Sequence, residues 1–103
     1  VIEDVKKGTL QVIDVRNENE YRDGHIPGSE NIPLGELQDS MGRIKNNDQE
    51  ILLISRSGGR SFVAATLLRS QGFKNVMNLA GGIQAWALSQ YPIRKPSDLH
   101  RAA

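Results

Sequence analysis

The sequence contains no cysteine, and this absence sets the first limit on its chemistry. Without cysteine the chain has no disulfide, no thiolate metal site and no cysteine nucleophile. Its two histidines, His25 and His100, are far apart and lack the spacing of metal ligands, so the sequence predicts no zinc site. We therefore expect neither a bound metal nor a cofactor.

Long apolar runs and a strong net charge are also missing. Runs such as Ile51–Ile54 are far too short to span a membrane, and the first residues do not resemble a secretory signal peptide. A formal net charge of +1 gives no global field that would attract nucleic acid or an anionic membrane. We therefore expect no nucleic-acid partner, no membrane association and, by default, a cytoplasmic location.

The length of 103 residues is typical of one domain with a modest core. Pro92 and Pro96 punctuate the end of the chain, which indicates a domain over residues 1–91 and a tail or linker over residues 92–103. Because the chain starts at Val1 rather than Met, we expect it to be a domain taken from a longer protein.

Short β-rich stretches alternate with helical patterns along the chain. Strands are predicted at residues 10–15, 30–33, 51–54 and 75–79, and helices at residues 17–24, 34–44, 61–71 and 83–89. Residues 1–8 form a helical turn or two, or supply a fifth strand. This alternation predicts an α/β domain with a central parallel sheet of four to five strands and helices on both faces.

The stretch that follows the third strand predicts an anion-binding loop. Its residues are Ser55, Arg56, Ser57, Gly58, Gly59, Arg60 and Ser61. Glycines let successive backbone N–H groups turn toward one point, and the following helix adds the positive end of its dipole. Arginines supply charge and forked donors for an anion. Ser61 either donates to this site or caps the helix, and Ser55 stands where a nucleophile would stand.

A second group of polar residues lies near the end of the first strand. Asp14 and Arg16 sit at its carboxyl end, where sites gather in open α/β sheets. Asn17 and Glu20 have the spacing of a helix capping box. We interpret Asp14, Arg16 and Glu20 as an ion-pair and capping network that supports the loop, and His25 as a hydrogen-bonded structural residue in a turn.

Four blocks of sequence, in order, carry a resemblance over nearly the whole chain. They are residues 14–16 with Glu20 and Tyr21, residues 24–29 with 31–33, residues 56–61, and residues 78–79 with 81–83 and Trp86. Together these blocks resemble the rhodanese (sulfurtransferase) domain family. The resemblance implies a parallel α/β domain of the single-domain type.

The resemblance also implies a chemistry. A cysteine at position 55 would take a sulfane sulfur from thiosulfate, a persulfide or a polysulfide and pass it to a thiol or cyanide acceptor. Arg56 and Arg60 would hold the anionic part of the donor. The loop from Ser55 to Arg60 spans six residues, whereas the related dual-specificity phosphatases use one residue more, so the sulfur-handling branch is favoured.

Ser55 departs from the family, since a serine hydroxyl cannot store sulfur as a persulfide. Three explanations stay open at the sequence level: an engineered Cys→Ser change, a naturally inactive binding or regulatory module, and serine hydrolysis by an activated hydroxyl. The family also implies that such a domain can be fused to, or partnered with, another sulfur-metabolism domain. Examples are a persulfide dioxygenase of the metallo-β-lactamase fold and a flavin-dependent disulfide reductase.

Overall fold

The computed structural model describes residues 11–44, 50–56, 59–79 and 81–88. Strands and helices alternate along them in the following order: strand β1 (Gln11–Asp14), helix α1 (Glu18–Asp23), strand β2 (Glu30–Asn31), 3-10 turns Leu34–Glu36 and Met41–Arg43, strand β3 (Ile51–Ile54), helix α2 (Gly59–Ser70), strand β4 (Val76–Asn78) and helix α3 (Gly82–Leu88). The predictions for residues 1–8 and for the tail, residues 92–103, lie outside the described residues.

The four strands form one parallel sheet in the order β2-β1-β3-β4. β1 and β3 are the central pair, with Ile13 opposite Leu53 and Asp14 opposite Ile54. Every residue of β3 is buried, as expected for a central parallel strand that is covered on both faces. The predicted parallel α/β sheet is confirmed, with four strands among the described residues.

Helices cover both faces because strand side chains alternate between them. On one face, strand residues join α2 in a core cluster that includes Ile13, Leu53, Ala64, Ala65 and Leu68. On the other face, strand residues join α3 in a second cluster that includes Val12, Leu52, Ile54, Ile83 and Trp86. Among the described residues, no helix is both long and apolar enough to cross a membrane.

Local signals fix the ends of α1 and α2. The predicted capping box of α1 is present: Asn17 Oδ1 accepts from the N–H of Glu20, and the Glu20 carboxylate accepts from the N–H of Asn17. α2 ends at Ser70 and is followed by Gly72, whose φ is +94°. The Gly72 N–H donates to the Arg69 carbonyl and the next N–H to that of Leu68, a Schellman motif.

Not all apolar residues of α2 pack against the sheet. Phe62 and Val63 are 64% and 53% exposed. A helix laid on a sheet buries one stripe of side chains, and in α2 that stripe is Ala64, Ala65 and Leu68. The exposed pair therefore faces solvent next to the end of the loop.

The predicted continuous helix over residues 34–44 is wrong, because the structure has two short 3-10 turns there. Four apolar residues of this segment, spaced three and four apart, still pack into the α2-side core: Leu34, Leu37, Met41 and Ile44. Gly35 and Gly42 lower the helix propensity of the segment. Complete burial of Leu37 indicates that tertiary packing fixes this connection without a regular helix.

Candidate active site

The candidate site lies at the carboxyl edge of the sheet, where the two central strands end side by side. Asp14 and Ile54 are register partners, so Arg16 and Ser55 follow at the same edge. The N–H of Val15 donates to the carbonyl of Ile54 at 2.8 Å, which extends the pairing one residue further. The polar residues that follow β1 and β3 therefore lie at the same edge of the sheet.

Ser55 is almost fully buried, with 1% of its surface exposed. The first turn of α3 holds its backbone in place, because the N–H of Ile83 donates to the Ser55 carbonyl at 2.8 Å. The N–H of Gln84 donates in the same way to the Arg56 carbonyl at 3.1 Å. Two helices thus fix position 55: α2, which follows the loop in sequence, and α3, whose first turn donates to the loop carbonyls.

Gly82 makes this close approach of α3 to the loop possible. Its φ is +61°, and a Cβ there would lie 2.5 Å from the carbonyl oxygens of both Ser55 and Arg56. The sequence patterns did not predict this role of Gly82. The available signal was the glycine pair at the start of α3, since glycine is the usual residue where a positive φ or a close backbone approach is required.

The Ser55 hydroxyl is part of a chain of polar side chains. Its Oγ lies 2.9 Å from the Oγ of Ser61, and the Ser61 hydroxyl donates to the side-chain oxygen of Asn78. Ser61 is the third residue of α2, so it contacts the site and does not cap the helix. The role of Asn78 was missed, although an asparagine at the carboxyl end of a strand is unusual enough to be a signal.

Arg60 forms a bidentate ion pair with Glu20 of α1. Its two terminal nitrogens donate to the two carboxylate oxygens at 2.6 and 2.9 Å. These hydrogen bonds are the main reason that the pKa of Glu20 falls from its ordinary value of 4.5 to about 2. The same contact raises the pKa of Arg60. Glu20 thus caps α1 and binds the predicted anion-binding arginine at the same time.

Arg16 forms a separate and more buried ion pair. Its Nε and one terminal nitrogen donate to the Asp14 carboxylate, the shortest contact being 2.7 Å, and that terminal nitrogen also donates to the Gly24 carbonyl at 2.7 Å. Asn31 donates to the backbone carbonyls of Asp14 and Arg16. The two carboxylates therefore bind different arginines: Asp14 binds Arg16, whereas Glu20 binds Arg60. That these residues support the loop stays a prediction.

His25 has structural contacts in the turn after α1. Its Nδ1 lies 2.8 Å from the Tyr21 carbonyl, and its ring stacks on that of Tyr21 with centroids 3.9 Å apart. The Tyr21 hydroxyl in turn donates to the Ser29 carbonyl. These contacts agree with the structural role expected for His25.

The remaining loop residues are only partly described. Arg56 is exposed, and Gly59 is the first residue of α2 with open space where a Cβ would lie. Ser57 and Gly58 lie outside the described residues, so their predicted roles stay predictions. Within the described ranges, no group of three or more His, Cys, Asp or Glu residues is placed to hold a metal ion.

The fold and the site define a parallel α/β domain with an arginine-containing loop at the carboxyl end of its central strand. The family model of the rhodanese-like domain matches residues 1–89. The chain therefore belongs to the rhodanese-like domain family, and the resemblance seen in the sequence is confirmed.

Individual relatives agree with this assignment. The sulfurtransferase of Allochromatium vinosum is 36% identical over 85 residues, which cover 82% of this chain and 78% of that protein. The Bacillus subtilis protein YrkF is 44% identical over 78 residues, or 76% of this chain, and the match spans only 42% of YrkF. The crystal structure of a rhodanese-related protein from Thermoplasma volcanium superposes with a TM-score of 0.81 at 34% identity, covering 89% of this chain and 88% of that one.

Proposed function

We propose that this chain is a sulfurtransferase-type rhodanese domain whose sulfur-carrying position is residue 55. It would move a sulfane sulfur from thiosulfate, a persulfide or a polysulfide to a thiol or to cyanide, through a cysteine persulfide. With Ser55 the chain is inactive, and we propose that this serine replaces a native cysteine. Support comes from membership of the family and from relatives that are named sulfurtransferases.

The observation that carries the proposal is the setting of position 55. The residue is buried at the end of β3, its carbonyl accepts from α3, and its side chain lies 2.9 Å from the Ser61 hydroxyl in the first turn of α2. A thiolate in this place would lie beside the Ser61 hydroxyl, which can turn from Asn78 to donate to it, and at the positive end of a twelve-residue helix. Both interactions stabilise the ionised thiol, which is the nucleophilic form.

The transfer itself needs two displacements that balance without an added oxidant or reductant. The thiolate attacks the sulfane sulfur, a new S–S bond forms, and the donor's own bond to that sulfur breaks, so that sulfite or a thiolate leaves with the electron pair. An acceptor thiolate or cyanide then attacks the outer sulfur and returns the thiolate at position 55. Arg56 and Arg60, together with the loop N–H groups, would hold the donor.

The partners of this function are a small anionic sulfur donor and a thiol acceptor, neither of which requires nucleic acid or a membrane. The proposed location is the cytoplasm, where thiols are kept reduced. Since the match spans less than half of YrkF, a fused or partner sulfur-metabolism domain also belongs to the proposal.

The test is to restore a thiol with Ser55→Cys. Because the chain contains no cysteine, this variant carries a single thiol, and intact mass spectrometry after incubation with thiosulfate or glutathione persulfide reports on it alone. We expect a gain of about 32 Da for one persulfide sulfur, lost again when cyanide or a thiol is added. Ser70→Cys is the matched control, because it places one thiol on the exposed end of α2.

The second candidate is a naturally non-catalytic binding or regulatory module. One observation favours it: the Ser55 hydroxyl is well accommodated beside Ser61, as expected if serine is native at this position. The native gene separates the two, since a cysteine codon supports the first candidate and a serine codon the second. If Ser55→Cys gains no sulfur from either donor, or no more than Ser70→Cys does, the non-catalytic module becomes the better proposal.

A further inference from the structure

Two of the three arginines around the loop are neutralised by carboxylates. Arg16 pairs with Asp14, and Arg60 pairs with Glu20. The exposed side chain of Arg56 makes no hydrogen bond or ion pair within the part of the chain that the structure describes. The arginines that flank position 55 therefore present one uncompensated positive charge instead of three.

Glu20 is placed to control how much positive charge the loop presents, because it is the carboxylate that neutralises Arg60. Its carboxylate accepts both terminal nitrogens of Arg60 and also the N–H of Asn17, so the helix cap fixes the group that binds the arginine. The pKa of about 2 keeps Glu20 ionised at neutral pH. Its negative charge thus stays beside Arg60 whenever a donor enters the loop.

We propose that Glu20 is a specificity-determining residue that, by neutralising Arg60, makes the loop favour singly charged sulfur donors over the thiosulfate dianion. The inference rests on the proposed function, because it concerns the donor of the same loop. Coulomb energy scales with the charge of the ligand, so a fixed negative charge disfavours a compact dianion about twice as much as a monoanion of the same size. The terminal sulfur of a persulfide brings one charge to the loop, whereas thiosulfate brings two.

The chain with Ser55 allows binding to be measured without turnover. Titration calorimetry would compare thiosulfate with the methanethiosulfonate anion, which has the same skeleton but a methyl group in place of one charged oxygen. We expect the parent chain to bind methanethiosulfonate more tightly than thiosulfate. In Glu20→Gln we expect thiosulfate affinity to rise roughly fivefold to tenfold and methanethiosulfonate affinity about twofold to threefold, the square root of that gain.

Three variants separate local charge from geometry and from net charge. Glutamine retains the oxygen that the capping box requires, so Glu20→Gln preserves α1. Glu20→Asp retains the charge and should not raise thiosulfate affinity. Glu18→Gln removes the same formal charge from the exposed face of the same helix, where Glu18 pairs with Arg22, and should leave both affinities nearly unchanged. Circular dichroism would confirm that each variant is folded.

The other outcomes overturn the inference in distinguishable ways. Equal gains for both anions in Glu20→Gln, or weaker thiosulfate binding, would mean that Glu20 only anchors Arg60. An equal effect of Glu18→Gln would mean that net charge, and not the pair, controls binding. Binding of both anions without discrimination overturns this inference alone. If neither anion binds to any of the chains, the loop is not an anion site, and the proposed donor-binding function fails as well.

Discussion

Ser55 and Ser61 share a hydroxyl–hydroxyl hydrogen bond of 2.9 Å at the buried end of β3. The first of these residues follows the central strand and the second lies in the first turn of α2, so the bond joins the two ends of the loop. Because the Ser61 hydroxyl also donates to Asn78, it stands between the site and β4. A thiolate at position 55 would accept a hydrogen bond from the Ser61 hydroxyl once that hydroxyl turned away from Asn78.

The first prediction concerns the thiol introduced by Ser55→Cys. Removing the neighbouring hydroxyl with Ser61→Ala should raise the pKa of that thiol by about one unit, since a hydrogen bond to an ionised group favours the ionised form. Ultraviolet absorbance of the thiolate across a pH titration measures this pKa. Thr66→Ala, which removes an exposed hydroxyl on the same helix, is the control and should not move it. An unchanged thiol pKa in Ser61→Ala would mean that Ser61 does not stabilise the thiolate at position 55.

The second prediction concerns the contact between α3 and the loop. Gly82→Ala should lower the free energy of unfolding by about 3 kcal/mol, because the new Cβ meets the backbone of Ser55 and Arg56 and the residue must also hold a positive φ. Urea denaturation measures the loss. It should be accompanied by weaker anion binding, since the loop must shift to relieve the overlap.

A glycine with positive φ and open space separates the two causes of that loss. Gly28 has φ +85° and nothing near its missing Cβ, so Gly28→Ala introduces backbone strain without overlap. We expect it to cost about 1 kcal/mol. Equal losses of unfolding free energy in Gly82→Ala and Gly28→Ala would show that the loop backbone shifts away from the new Cβ at no cost.

Local sequence signals predicted most of the fold. The β-branched and apolar runs placed β1 and β3, and the Asn17–Glu20 spacing placed the start of α1. Each of these signals works over a few neighbouring residues. The exception is the segment 34–44, where the apolar stripe was right and the helix was wrong, because burial of Leu37 and two glycines outweighed the periodicity.

The site was predicted as a set of residues but not as a set of contacts. Glu20 and Arg60 are forty residues apart in sequence, and nothing local indicates that the capping carboxylate also binds the loop arginine. The approach of Gly82 to the Ser55 carbonyl likewise depends on how α3 docks beneath the sheet edge. Such contacts follow from topology, which single-sequence patterns do not specify.

The third prediction is a pH dependence of the Glu20–Arg60 pair. The pKa of Glu20 is lower in the folded chain, about 2, than its ordinary value of 4.5, so the pair stabilises the fold above pH 4.5 and this contribution is lost as the pH falls toward 2. Both side chains are partly exposed, which limits the contribution to about 1 kcal/mol.

Glu20→Gln should therefore be less stable than the parent at neutral pH, and the difference should shrink below pH 4.5 and vanish near pH 2. Urea denaturation at a series of pH values follows this difference. The same series with Glu18→Gln should give a difference near zero throughout, because the pair of Glu18 with Arg22 is exposed. If the difference in unfolding free energy between Glu20→Gln and the parent were constant with pH, ionisation of Glu20 would not contribute to stability.

The fourth prediction concerns the pair of Asp14 with Arg16, whose side chains are 0% and 7% exposed. Asp14→Asn keeps the shape of the carboxylate but leaves the guanidinium buried without its counter-charge, and should cost about 3 kcal/mol in urea denaturation. The exposed pair of Glu18 with Arg22, broken by Glu18→Gln, should cost less than about 0.5 kcal/mol.

The apolar double variant Asp14→Leu/Arg16→Met distinguishes two roles of the buried pair: stabilising the fold and positioning the residues around the loop. Removing both charges leaves no uncompensated ion, so most of the lost stability should return. Arg16 also donates to the Gly24 carbonyl, and the double variant gives up that contact at the edge of the site. If it is stable but binds anions weakly, the pair serves to position the residues around the loop. If the double variant binds anions like the parent, the Asp14–Arg16 pair stabilises the fold and does not position the loop for binding.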